Sequence, residues 1–116
     1  MSSIVLDASA LLALVHKETG WQVVAEAVPE ATVSTVNLAE VVSKLAEEGL
    51  SEDQARRLLL AMEFETVAFE ADQAYAVGML RPATKKDGLS LGDRCCFSLG
   101  QRLGMPVLTC DRRWAE

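Results

Sequence analysis

One histidine and three cysteines are the only imidazole and thiol side chains in 116 residues. His16 stands alone, Cys95 and Cys96 are adjacent, and Cys110 is distant, so no C-x-x-C pair and no nitrogen–sulfur set at zinc spacing exists. The thiols are expected to pack as small apolar groups, and His16 to sit at the surface where a predicted helix ends. No Ser-His-Asp spacing and no glycine-rich phosphate loop is present either. Long hydrophobic runs are also missing. The longest, Ala10 to Val15, falls far short of the ~20 residues that span a membrane. The N-terminus lacks a basic stretch, and Asp7 arrives before any apolar run, so no secretory signal is expected and the protein reads as cytoplasmic. Positive charge is scarce as well: 11 Lys and Arg face 17 Asp and Glu, a net charge of −6. That argues against nucleic-acid binding by a basic surface alone. It leaves open a surface where a divalent cation reverses the field of clustered carboxylates.

What is present suits one globular domain, with half the residues hydrophobic and about a quarter charged. Ile4-Val5-Leu6 reads as a short buried strand ending at Asp7, followed by a helix over Ala8 to His16. Gly20 breaks that helix, and Trp21 to Val28 forms another that Pro29 stops. Ala31 to Ser34 is a second strand. From Thr35 a longer helix carries Leu38, Val41, Val42 and Leu45 on one face and ends at Gly49. Ser51 to Gln54 resembles a capping box that opens a helix reaching Met62. Thr66 to Phe69 is a third strand, and Ala71 to Leu80 a helix whose Ala74 and Gly78 permit close packing. Arg81 to Ser90 reads as an exposed, mobile loop. Ser90 then opens a helix with Leu91, Cys96, Leu99 and Leu103 on one face, ending at Gly104, before a fourth strand over Pro106 to Thr109. This alternation predicts an α/β domain: a central parallel sheet of four or five strands with helices on both faces.

Four acids stand at or near the ends of these elements: Asp7, Glu40, Asp93 and Asp111. Each has an ordinary explanation. Asp7 could cap the helix that follows it, Glu40 could face water opposite its helix's apolar stripe, Asp93 could answer the helix dipole, and Asp111 could serve a turn. In open parallel sheets, however, ligands bind beyond the carboxyl ends of the strands where strand order reverses. If the first and fourth strands are neighbours, Asp7 and Asp111 share that place. Gly92, directly before Asp93, lets its backbone approach another element closely. Packing does not need so many acids on one edge, and oxygen ligands of this kind suit Mg²⁺ or Mn²⁺. Such a cation can activate water and orient a phosphodiester.

The segments IVLDASALLAL (Ile4–Leu14), STVNLAEV (Ser34–Val41) and LSLGDRCCFSLGQRLGMPVLTCDRRW (Leu89–Trp114) resemble the signature blocks of PIN-domain nucleases, most nearly the VapC toxins of bacterial toxin–antitoxin pairs. The resemblance covers nearly the whole chain in the right order. It implies one Mg²⁺ or Mn²⁺ site in which Asp7 and Asp93 are the main ligands. Glu40 would complete the site and help place the attacking water, and Asp111 would support a second metal position or a metal-bound water. The hydroxyls of Ser9 and Thr109 would orient the ligands. It further implies an RNA substrate, a homodimer and an antitoxin partner. Lys85, Lys86, Arg94, Arg112 and Arg113 are the candidate RNA contacts. Relatives usually continue past the DRRW block into an edge strand, whereas this sequence stops at Glu116. An RNA-processing or DNA-repair nuclease of the same fold is the alternative. A receiver-type signalling module also combines acids with Mg²⁺, but no lysine here follows a late strand in the required place.

Overall fold

The computed structural model describes residues 2–111. Among these, four strands form one parallel sheet: β1 (Ile4–Leu6), β2 (Ala31–Ser34), β3 (Glu65–Val67) and β4 (Val107–Leu108), in the order β3-β2-β1-β4. The register sets Ile4 opposite Ala31, Leu6 opposite Leu108, and Val33 opposite Thr66. Seven α-helices accompany it among the described residues: α1 (Ala8–His16), α2 (Trp21–Ala27), α3 (Thr35–Glu47), α4 (Glu52–Leu60), α5 (Ala71–Met79), α6 (Arg81–Thr84) and α7 (Leu91–Leu103).

Alternation along the strands distributes side chains to two faces. Leu6, Ala31 and Val33 join Leu11, Val24, Val41 and Leu45 in the larger core, under α1, α2 and α3. Val5 faces the other way and packs with Cys96 and Leu99 of α7 and with Val107. Helices therefore cover both faces, as the patterning predicts. Small residues let α7 lie close to the sheet, and a Cβ on Gly100 would press on Val107 and on the carbonyl of Met105.

Several elements depart from expectation. The segment 81–90 is not a loop throughout: α6 and a 3-10 turn over Lys85–Asp87 fill most of it, with Pro82 in the first turn of α6, where its missing N–H costs nothing. The third strand is shifted towards the N-terminus and ends at Val67. Phe69 leaves the ladder, and its N–H donates to Thr35 Oγ1 at 3.0 Å instead. Ala74 and Gly78 of α5 are exposed, and a Cβ on Gly78 would meet nothing, so they mediate no close packing. Leu91 and Leu103 share the predicted stripe with Cys96 and Leu99 but are exposed, at the first and last positions of α7. The capping box at Ser51 and the left-handed glycine at position 49 are as predicted.

Candidate active site

Asp7 follows directly on β1 and is 6 % exposed. Its N–H reaches Leu108 O across to β4 at 3.4 Å, so the first and fourth strands are neighbours and Asp7 lies at the carboxyl end of their pair. β2 and β3 extend the sheet to one side of β1 and β4 to the other, which makes this the point where strand order reverses. Asp7 does cap α1: Oδ1 accepts from Ala10 N at 2.9 Å and from the Ser9 hydroxyl at 2.7 Å. Both bonds fall on one oxygen, and Oδ2 has no hydrogen-bond partner among the described residues.

Ser9 joins the two strand ends. Its Oγ lies 3.1 Å from Thr109 Oγ1 and accepts the Cys110 N–H at 2.9 Å, while Thr109 Oγ1 accepts the Asp111 N–H at 3.0 Å. One chain of hydroxyls thus runs from the Asp7 carboxylate to the backbone of Asp111, and the turn after β4 is held to the first turn of α1. Asp111 is half-buried there.

Asp93 and Glu40 come from helices. Asp93 is the third residue of α7, and its Oδ2 accepts from Ser90 N at 2.9 Å while Ser90 Oγ accepts from Asp93 N at 3.1 Å, a reciprocal cap. Glu40 projects from α3 towards α7, where a Cβ on Gly92 would run into its carboxylate. Glycine before Asp93 is therefore needed for close approach, as the sequence suggests. Oε1 of Glu40 accepts from Asn37 Nδ2 at 2.8 Å, and the same nitrogen donates to Gly92 O at 3.1 Å.

The fields of three of these acids reach one thiol. Cys96, on the face of α7 that packs on the sheet, has its thiol pushed far above the ordinary cysteine range, first by burial and then by the carboxylates of Asp7, Asp93 and Glu40. One sulfur thus feels all three. Cys95 is raised to about 11, by burial first and by Glu40 next. Burial raises Cys110 as well, with Asp7 and Glu18 adding to it. None of these thiols ionises near neutral pH, which fits packing and not nucleophilic chemistry.

A hard divalent cation fits this donor set. Among the described residues no three His, Cys, Asp or Glu side chains close tightly enough to enclose a metal by themselves. Mg²⁺ does not need such a cage, because it commonly takes one or two carboxylates and keeps several waters. Asp7 Oδ2 and a glutamate seated beside Asp93 are donors of that type.

Among the basic candidates, Arg94 is 8 % exposed, and its guanidinium donates to Val77 O at 3.1 Å and Ser90 O at 3.4 Å. It braces α7 against α5. Lys85 and Lys86 are exposed on their 3-10 turn. Arg112 and Arg113 lie outside the described residues. Sequence reasoning passed over Lys44, which with His16, Ser9 and Cys110 lines a cavity of about 430 Å³ bordering Asp7's hydroxyl chain. It also passed over Asn37, whose signal was a polar residue one and two turns ahead of Val41 and Leu45 on the buried face of α3. A larger apolar groove, about 540 Å³, lies between α3 and α4 and includes none of the four acids.

Comparison with known proteins bears on this arrangement. The family profile of the PIN domain matches residues 4–116. Among solved structures, a toxin–antitoxin complex from Klebsiella pneumoniae contains a chain with the same fold (TM-score 0.70, 21 % identity, covering 92 % of this chain and 85 % of that one). So does VapBC2 from Rickettsia felis bound to a DNA fragment from their promoter (TM-score 0.69, 17 % identity, covering 97 % and 90 %). Comparison with curated proteins returned no match.

Proposed function

This chain belongs to the PIN domain family, and on that premise we propose that it is a metal-dependent endoribonuclease, the toxin of a toxin–antitoxin pair. The observation that carries the reading is the placement of two acid positions: Asp7 is buried at the carboxyl end of β1 beside β4, and the Glu40 carboxylate rests against Gly92, directly before Asp93. Asp7 and Asp93 would hold Mg²⁺ or Mn²⁺, Glu40 would orient the attacking water and accept its proton, and Asp111 would support the site from beyond β4. Ser9 and Thr109 keep the Asp7 carboxylate in one orientation. When bound, the cation supplies positive charge to the scissile phosphate and favours the nucleophilic form of water. In-line attack leaves 5′-phosphate and 3′-hydroxyl ends.

The partner reading has its own support. The groove between α3 and α4 is lined by Leu38, Val42, Leu50, Leu59, Leu60 and Phe64, and Leu60 is 73 % exposed. An apolar, amphipathic segment of an antitoxin suits it. Exposed Tyr75 and Met79 on α5, with Leu91 on the adjoining α7, leave apolar surface that a second copy of the chain would cover in a homodimer.

The test is incubation of pure protein with total RNA in Mg²⁺, Mn²⁺ or EDTA, with the cut ends mapped. Cleavage that EDTA leaves untouched, or none in any condition, sinks the reading. Metal alone should also raise the melting temperature by several degrees. Binding to the native state adds about 2.7 kcal/mol at a hundredfold excess over Kd. An unmoved melting temperature in millimolar Mn²⁺ counts against the site. For RNA, Lys85 and Lys86 are exposed cations on the turn that precedes the Asp93 helix. Neutralising both should weaken binding and lower the slope of log affinity against log salt by up to about two. A slope equal to the parent's removes that turn from the interface.

A further inference from the structure

We propose that Asn37 is a positioning residue: it holds the Glu40 carboxylate in a seat formed by Gly92, and so fixes Glu40 relative to Asp93. The proposal rests on the metal-site reading above. Asn37 is 1 % exposed and lies one helical turn before Glu40 on α3. Its Nδ2 has two hydrogens, and both are used, one on Glu40 Oε1 at 2.8 Å and one on Gly92 O at 3.1 Å. The amide cannot be turned over, because its oxygen would then face a carboxylate and a carbonyl, which only accept.

The other end of the side chain shows what this arrangement costs. Asn37 Oδ1 is buried and accepts no hydrogen bond among the described residues. A valine or leucine, like its neighbours Val41 and Leu45 on the same face, would fill the space without that penalty. The half-satisfied amide is accounted for by the two acceptors it serves, and one of them is the carboxylate of an otherwise exposed glutamate. A glutamate on an open helix face samples many rotamers. Here one oxygen is tied to a buried donor, and the space in front of the carboxylate exists because Gly92 has no side chain. Since Gly92 precedes Asp93, a single amide couples the two acid-bearing helices, α3 and α7.

The test is a double-mutant cycle read in Mn²⁺ affinity by calorimetry, with apo stability measured alongside. Asn37→Ala should weaken Mn²⁺ about tenfold, in line with residues that orient metal ligands. Glu40→Ala should weaken it at least as much. The double variant should match Glu40→Ala within about twofold, because Asn37 acts through that carboxylate. Its loss of apo stability should persist in both backgrounds, because Gly92 O is left without its donor. Gly92→Ala approaches the same carboxylate from the other side while keeping Asn37, and serves where Asn37→Ala does not fold. It too should weaken Mn²⁺ about tenfold in the parent and hardly at all in Glu40→Ala. Losses that multiply, or an Asn37→Ala affinity equal to the parent's, overturn the positioning role. A parent that binds Mn²⁺ but cuts no RNA overturns the nuclease reading and leaves the cycle decisive. A parent that binds no Mn²⁺ overturns both.

Discussion

Asp93→Asn is expected to reduce RNA cleavage about a thousandfold while changing apo stability by less than about 1 kcal/mol. The activity loss corresponds to about 4 kcal/mol of barrier at ~1.36 kcal/mol per tenfold. Asparagine keeps a carbonyl oxygen but loses the charge that binds a hard cation. Two opposed effects set the stability. Asp93 belongs to the reciprocal cap with Ser90 at the start of α7, and replacing a carboxylate with an amide in a first turn typically costs 0.3–1 kcal/mol. Against that, Asp93 shares its surroundings with Asp7 and Glu40, all of which press on Cys96, so removing one charge relieves repulsion of similar size. The measurements are denaturant unfolding in EDTA and an initial-rate cleavage assay. A variant that loses about 1 kcal/mol yet cleaves at the parent rate reduces Asp93 to a helix cap.

Asp93 caps α7 whatever else it does, and that explains why the role proposed for it was only half legible in the sequence. Ser90 and Asp93 at capping spacing announce a helix start whatever else they do. Strand order was likewise open: Asp7 and Asp111 share an edge only because β4 pairs with β1, and no pattern in Val107-Leu108 selects that partner over β3. Where an apolar pattern met the buried sheet, as along Ile4–Leu6 and Ala31–Ser34, the reading held. Where it met solvent, it failed. Leu91 and Leu103 obey the helical period of α7 but stand at its two ends, outside the cluster that buries Cys96 and Leu99. The segment 81–90 has the composition of a loop, yet Pro82 starts α6 because proline suits a first helical turn. Glu40 shows the same limit from the other side. Its position opposite the apolar stripe predicts exposure, which is correct. Only the packing of α3 on α7 reveals that its carboxylate rests against Gly92.

Asp7 allows the two roles to be separated with one pair of substitutions. Serine is as good an N-cap as aspartate, whereas alanine cannot cap. Asp7→Ser should therefore keep α1 capped through its hydroxyl, with stability within about 0.5 kcal/mol of the parent. Asp7→Ala removes the acceptor for the buried Ala10 N–H and for the Ser9 hydroxyl. Losing a cap costs about 0.5–2 kcal/mol, and the upper end applies where the stranded N–H is buried. A loss of roughly 2 kcal/mol corresponds to a fall of about 8 °C in melting temperature for a domain of this size. Ser9 retains Thr109 Oγ1 at 3.1 Å in either variant, so the link between α1 and the turn after β4 survives. Cleavage and Mn²⁺ binding should follow charge instead of capping: both variants lose the carboxylate and both should fall by at least a hundredfold. The two readouts thus part company, with stability distinguishing serine from alanine and activity grouping them. An Asp7→Ser protein that still cuts RNA at the parent rate would mean that this carboxylate only caps a helix, and that the chemistry belongs to other residues.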